Sequence, residues 1–355
     1  MTLIIDAHFD LLMDVQIQRE KGRRKVIESD YLARFKAGGV NVIVAAIFVD
    51  DQFVPQMALQ KALLQISALY AEVDESPDQL MICYNPDDIK EAHETGKTGF
   101  MLSLEGAEPL GKDVTLLRIF YELGVRSVGL VWSRRNETGN GSRFKPIPKG
   151  DTGGLTDFGL KIIKEAEKLG ITIDVSHLND EGFLDLIEVS TQPIIASHSN
   201  SRALCPVSRN LTNEQIKSIA SKKGVIGVNA VSILVADKDT ESTVEKLADH
   251  IDYLVRLAGI QHVGIGLDLC DDFRQYVSTD DLKRMPRKPF DVINGHQNLP
   301  GLLEELKKRG YTPDELNLLS GQNFLRVFAE NRGCIPNDLN LLFGQNFLRL
   351  FEEDL

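Results

Sequence analysis

Eight short runs rich in Val, Ile and Leu alternate with amphipathic stretches along most of this chain, and that alternation limits the fold more than any other feature. The runs lie at about 3–8, 41–48, 99–105, 127–131, 171–177, 193–198, 225–230 and 262–268. Strands separated by whole helices must pair in parallel, because such a crossover is too long for a hairpin. The clearest helical stretches are MALQKALLQISALYAEV, LTDFGLKIIKEAEKLG, NDEGFLDLIEV, LTNEQIKSIASKKG and TVEKLADHIDYLVRLAG. Several stop at glycine, and Leu155-Thr156-Asp157 and Leu211-Thr212-Asn213-Glu214 supply N-cap candidates. Eight strand–helix repeats close a (β/α)8 TIM barrel, and 355 residues is an ordinary length for one such barrel with long loops.

Composition narrows the partners. Hydrophobic residues make up 43% and charged residues 26%, the profile of a globular protein with a sizeable core. A formal net charge of −12 argues against nucleic acid, since phosphate binding needs a basic face. No apolar run approaches the length of a membrane span, and the start, MTLIIDAHFD, lacks the basic and apolar regions of a secretion signal. Cys83, Cys205, Cys270 and Cys334 are scattered and form no CxxC pair. They read as separate reduced thiols, and the expected location is the cytoplasm.

The metal-ligand types collect where a barrel places its chemistry. His8 and Asp10 stand at the end of the first run and Glu105 at the end of the third. His177 and His198 end the fifth and sixth, each after a Ser, and Asp268 ends the eighth. Catalytic groups of (β/α)8 barrels gather at the C-terminal ends of the strands. His8 and Asp10 are two residues apart, so an extended chain points both to one side. An acid such as Glu105 at the end of an apolar strand is costly to bury unless paired or bound to metal. Three imidazoles and two carboxylates suit Zn²⁺ and exceed what one catalytic zinc needs, which favours two ions, with a carboxylate able to bridge them. Asp268 is placed to take a proton from an attacking water and pass it to a leaving amine. Of the other histidines, His93, His250 and His262 have surface or capping roles as their default. His296 lies in the long loop after the last strand, where substrate pockets are built.

The ordered set HFD, SLEG, DVSH, ASHSN…SRN and HVGIGLD resembles the membrane dipeptidase (renal dipeptidase, M19 peptidase) family, over a stretch reaching from residue 8 to NFLRVF near 323. The resemblance implies an amidohydrolase-like barrel with two zinc ions that cleaves dipeptides, L-Xaa-L-Xaa and often L-Xaa-D-Xaa, through a bridging hydroxide. It implies that His8 and Asp10 hold one ion, His177 and His198 the other, and that Glu105 bridges them. It makes Asp268 the acid/base that also meets the substrate's amino group, and Arg209 the fork for its terminal carboxylate. One departure is plain. Many family members carry a His at the end of the fourth strand, and here Trp132 stands there, with Arg134 and Asn136 as further candidate donors. An indole N–H donates a hydrogen bond but carries no charge. Cys270, two residues past Asp268, is taken as an ordinary thiol outside the site. Two other classes compete: a related barrel hydrolase of another amide, lactone or ester, and a non-catalytic metal-binding barrel.

The C-terminus repeats itself. LNLLSGQNFLRVFAE (316–330) recurs as LNLLFGQNFLRLFEE (339–353), identical at twelve of fifteen positions, with CIPND as linker. The expected organisation is one catalytic barrel over 1–334 and a surplus amphipathic helix within 335–355. The apolar stripe of that helix needs a cover, and a second copy of the chain, giving a homodimer, is a candidate.

Overall fold

A computed structural model describes residues 2–144, 153–272, 274–276 and 285–331. Nine parallel strands form one sheet: β1 (Ile5–Phe9), β2 (Val42–Phe48), β3 (Leu80–Ile82), β4 (Thr98–Glu105), β5 (Val125–Gly129), β6 (Thr172–Asp174), β7 (Ile195–Ala196), β8 (Val225–Val228) and β9 (Val263–Ile265). Eight of them run in the order β1-β2-β4-β5-β6-β7-β8-β9, and β3 pairs with β4 off that path. Glu105 is in register with Phe48 on one side and Gly129 on the other. The ring is nearly closed. Its seam is carried by the Leu267 N–H donating to Asp6 Oδ1 (2.8 Å) and the Asp268 N–H donating to the His8 carbonyl (3.2 Å). The expected TIM barrel is present. The extra strand β3, three residues long, is not among the expected runs.

The expected helices form, and four of the five carry a side-chain N-cap, the exception being Ala58–Glu75. Thr156 accepts from the Gly159 N–H at the start of Asp157–Leu169, and Thr212 makes a reciprocal capping box with Gln215 at Asn213–Ser221. Their apolar faces and the outer faces of the strands make one continuous core, including Ile43, Leu104, Ile162, Ile216 and Leu254. A second cluster fills the barrel's interior. Ile5, Val42, Met101, Ile195 and Val225 pack there on Phe324, Val327 and Phe328 of the helix Asn323–Glu330. That helix is the first copy of the repeated segment. The second copy, at 339–353, lies outside the described residues.

Candidate metal centre

The ends of two strands and three turns bring the predicted ligands and Asp268 together. His8 is within β1 and Glu105 is the last residue of β4, whereas His177, His198 and Asp268 each lie two or three residues beyond their strands. His177 and Asp268 have left-handed backbone, with φ of 70° and 55°. Each such non-glycine residue costs on the order of 1 kcal/mol, and strain of this kind clusters at functional sites. All six side chains converge. The Glu105 Oε1 atom lies 3.0 Å from His177 Nε2 and 3.6 Å from both His198 Nε2 and His8 Nε2. His8 Nε2 is 3.7 Å from Asp10 Oδ2 and 3.8 Å from Asp268 Oδ1.

The donor set fits cations. His177 Nε2 and His198 Nε2 approach to 2.9 Å, and both nitrogens of His8 and the Oδ1 of Asp10 are buried without a hydrogen-bond partner. Two triads, Glu105–His177–His198 and His8–Asp10–Asp268, each present one ligand atom per residue close enough to grip one ion. The electrostatics carry the same imprint. Burial alone would lower the His8 pKa, but the carboxylates of Glu105, Asp10 and Asp268 outweigh it and raise it to about 10. Burial raises Asp268 to about 7, and burial with the charge of Asp10 pushes Glu105 well above the usual carboxylate range. Burial holds His177 and His198 well below theirs, neutral and able to offer a lone pair to metal.

Partners that the sequence did not reveal hold these ligands. Ser133 Oγ lies 2.8 Å from His177 Nδ1, and Ser197 Oγ lies 2.6 Å from His198 Nδ1. Asn229 Nδ2 donates to Asp268 Oδ2 (2.7 Å). Small polar residues beside strands carry no distinctive spacing, so the only signal was the Ser-His pairing at 176–177 and 197–198.

A pocket of about 570 Å³ opens over the centre. Its polar end comprises Asp10, Glu105, His177, Arg209 and Asp268. Arg209 is buried, with Nη1 donating to Ser199 Oγ (3.0 Å) and Nη2 to the His198 carbonyl (3.0 Å). Of the three candidate donors after β5, only Trp132 lines the pocket. Arg134 turns away to Glu108, Asp51 and the Val49 carbonyl, and Asn136 donates to the Leu130 carbonyl. Cys270 lines the pocket as well, contrary to the sequence expectation. Two histidines also differ from expectation. His296 is a buried strut 2.8 Å from Asp6 Oδ2, not a pocket residue, and His250 is fully buried rather than at the surface.

A nearly closed parallel barrel with imidazoles and carboxylates converging at its C-terminal mouth defines a metal-dependent hydrolase of the barrel class. The chain belongs to the membrane dipeptidase family (peptidase family M19), whose family model spans residues 1–334, and it is accordingly a metal-dependent hydrolase of peptide bonds. An uncharacterized protein in the pqqA 5′ region of Klebsiella pneumoniae is 34% identical over 267 residues, 74% of this chain and 93% of that protein. The dipeptidase tcpJ of Claviceps purpurea is 25% identical over 334 residues, 92% of this chain and 74% of the relative. A metallo peptidase from Rhodobacter sphaeroides, solved with a phosphinate mimic of the dipeptide L-Ala-D-Ala, superposes with a TM-score of 0.81. It is 27% identical and the match covers 93% of this chain and 100% of that one.

Proposed function

We propose that this protein hydrolyses dipeptides with two zinc ions, His8 and Asp10 holding one, His177 and His198 the other, and Glu105 shared between them. The observation that carries this is the position of Glu105 Oε1, within 3.6 Å of three imidazole nitrogens that belong to both triads. Bound zinc supplies Lewis acidity and lowers the pKa of an attacking water toward neutrality.

The chain's own groups supply the rest. Asp268 is held by Asn229 through Oδ2, which leaves Oδ1 facing the centre. There it accepts a proton from water and returns it to the leaving amine, and it pairs with the substrate's free amino group. Arg209 lines the same pocket, anchored through its two terminal nitrogens, with its Nε buried and unpartnered. It pairs with the terminal carboxylate, and among the described residues it is the one guanidinium or ammonium group lining the pocket. A reader for a free amine and a reader for a free carboxylate in one pocket favour a dipeptide over a lactone or ester. The phosphinate complex of the Rhodobacter sphaeroides enzyme supports extending the substrates to L-Xaa-D-Xaa. Cys83, Cys205 and Cys270 are free and buried, which supports work in a reducing compartment such as the cytoplasm.

The test is a hydrolysis screen of L-Xaa-L-Xaa and L-Xaa-D-Xaa dipeptides with zinc-loaded protein, alongside elemental analysis. Release of free amino acids and about two zinc ions per chain are expected. One ion or none at saturation overturns the two-metal reading, and no hydrolysis of any dipeptide overturns the activity.

A further inference from the structure

The polar end of the pocket accounts for the backbone of a dipeptide, and the remaining walls show what its side chains meet. Phe48, from the end of β2, packs on Trp132 with ring centroids 5.2 Å apart. Phe144 also approaches the indole, with ring centroids 6.5 Å apart. Val231, Ile233 and Leu234, after β8, face the same space. Among the described residues, every charged one lining this pocket belongs to the metal, amine or carboxylate positions named above, so none of them is left to meet a charged substrate side chain.

Trp132 is held in place. Its carbonyl accepts from the Arg134 N–H at 2.7 Å, and the Arg134 guanidinium, tied to Glu108 and Asp51, lies 5.3 Å from the indole ring. Gly141 approaches so closely that a Cβ there would lie 1.8 Å from the Trp132 carbonyl oxygen. These contacts fix the backbone of Trp132 and set the Arg134 cation against its ring, so the indole offers the substrate a defined surface.

We infer that Trp132, with Phe48 and Phe144, forms an apolar subsite that selects dipeptides with uncharged, bulky apolar side chains, and that Trp132 is the specificity-determining residue. This rests on the dipeptidase reading of the same pocket. A Lys or Glu side chain would lose its hydration against these rings and gain no partner among the described residues, which disfavours it. A leucine or phenylalanine side chain gains what it buries, and each methylene in such a pocket is worth roughly tenfold or more in kcat/KM.

Trp132 is the chain's only tryptophan, so its emission reports on the pocket independently of bond cleavage. Zinc-loaded protein is mixed by stopped flow with L-Leu-L-Leu, L-Ala-L-Ala, L-Glu-L-Glu or L-Lys-L-Lys, and emission and amino-acid release are both recorded. A fast emission change with L-Leu-L-Leu and none with the charged dipeptides is expected, with kcat/KM at least tenfold higher for L-Leu-L-Leu than for L-Ala-L-Ala and about a hundredfold higher than for the charged pair. Trp132→Ala is expected to reduce the preference for L-Leu-L-Leu over L-Ala-L-Ala at least tenfold. Trp132→Phe, which keeps a ring, is expected to retain most of it, so a folding defect in the first variant leaves the second to decide. Equal kcat/KM for apolar and charged dipeptides, or a preference unchanged in both variants, overturns the subsite while leaving the dipeptidase reading intact. An emission change with L-Leu-L-Leu and no amino-acid release does the reverse.

Discussion

Ser197 Oγ lies 2.6 Å from His198 Nδ1 while donating its own proton to Asp174. A hydroxyl has one hydrogen, so with that hydrogen on the carboxylate it accepts from Nδ1–H. His198 is thereby fixed as the tautomer whose Nε2 lone pair faces Glu105 and His177. Asp174 is held in turn by the N–H groups of Ser176 and Ser197, both at 2.9 Å. Partners of this kind orient a ligand and tune its basicity. Ser197→Ala and Asp174→Asn are therefore expected to weaken zinc binding about 10- to 100-fold, measured by competition with a chromophoric chelator. Affinity unchanged in both variants would remove the relay from the site.

The strain at His177 makes a second prediction. Its left-handed φ of 70° is a conformation glycine adopts freely. His177→Gly is expected to lose activity and one zinc ion, yet to leave the metal-free protein at least as stable as the parent, by up to about 1 kcal/mol in urea unfolding. His177→Ala should lose the same ion without that gain. A metal-free His177→Gly protein clearly less stable than the parent would show that His177 serves packing rather than metal.

Arg209 offers a planar fork that a lysine cannot copy. Arg209→Lys is expected to raise KM for free dipeptides at least tenfold, in the range of a lost charge-assisted hydrogen bond. Dipeptides amidated at the C-terminus should be much less affected. Equal effects on both substrate types would take Arg209 out of the carboxylate role.

The residues legible in the sequence were those whose type and place coincide. His8, Asp10, Glu105, His177, His198 and Asp268 are metal or proton chemistry at the ends of apolar runs, and all six meet in one centre. What escaped notice depends on contacts between distant segments. Asp6 and His296 are 290 positions apart; the sequence does not single out Asp6, and His296 reads as a loop residue until the fold joins them beside the barrel seam. Ser133, Ser197 and Asn229 are ordinary polar residues whose roles exist only through the atoms they touch. The left-handed turns at His177 and Asp268 have no sequence signal, because neither is a glycine.

His250 gives the stability a pH dependence. It accepts from the Ser201 N–H through Nδ1 (3.1 Å) and holds the Val235 carbonyl through Nε2 (2.8 Å), and burial lowers its pKa to about 4. The unfolded chain, titrating near 6.5, binds more protons than the folded one between pH 6.5 and 4. The contribution is thus complete above about pH 6.5 and is lost as pH falls toward 4, a total of about 3 kcal/mol. His250→Gln keeps one acceptor and one donor but does not titrate. In metal-free protein, the stability of the parent relative to this variant should fall as pH is lowered from 7 to 5. A constant difference would show that His250 does not change its protonation on unfolding.

The repeated tail poses a choice that the barrel's interior resolves. In the first copy Ser320 and Val327 are fully buried, and Asn323 donates to the carbonyls of Ile260 and Val263 at 2.8 Å each. At the matching positions the second copy carries Phe343 and Leu350. A phenylalanine in the place of a buried serine overpacks the groove and costs about 1–3 kcal/mol, and Leu350 adds a methylene. The first copy is therefore the one that seats in the barrel, and we propose that residues 335–355 are surplus to it. Truncation after Cys334 is expected to leave zinc stoichiometry, kcat/KM and Tm unchanged. Because Leu341, Leu342, Phe347, Leu350 and Phe351 would form an apolar stripe along a helix, the full chain is expected to associate, with a homodimer the simplest form, and the truncated chain to run as a monomer in sedimentation. Loss of zinc or of folding on truncation would place the second copy inside the barrel's structure. An association state identical in both chains would remove the tail from any interface.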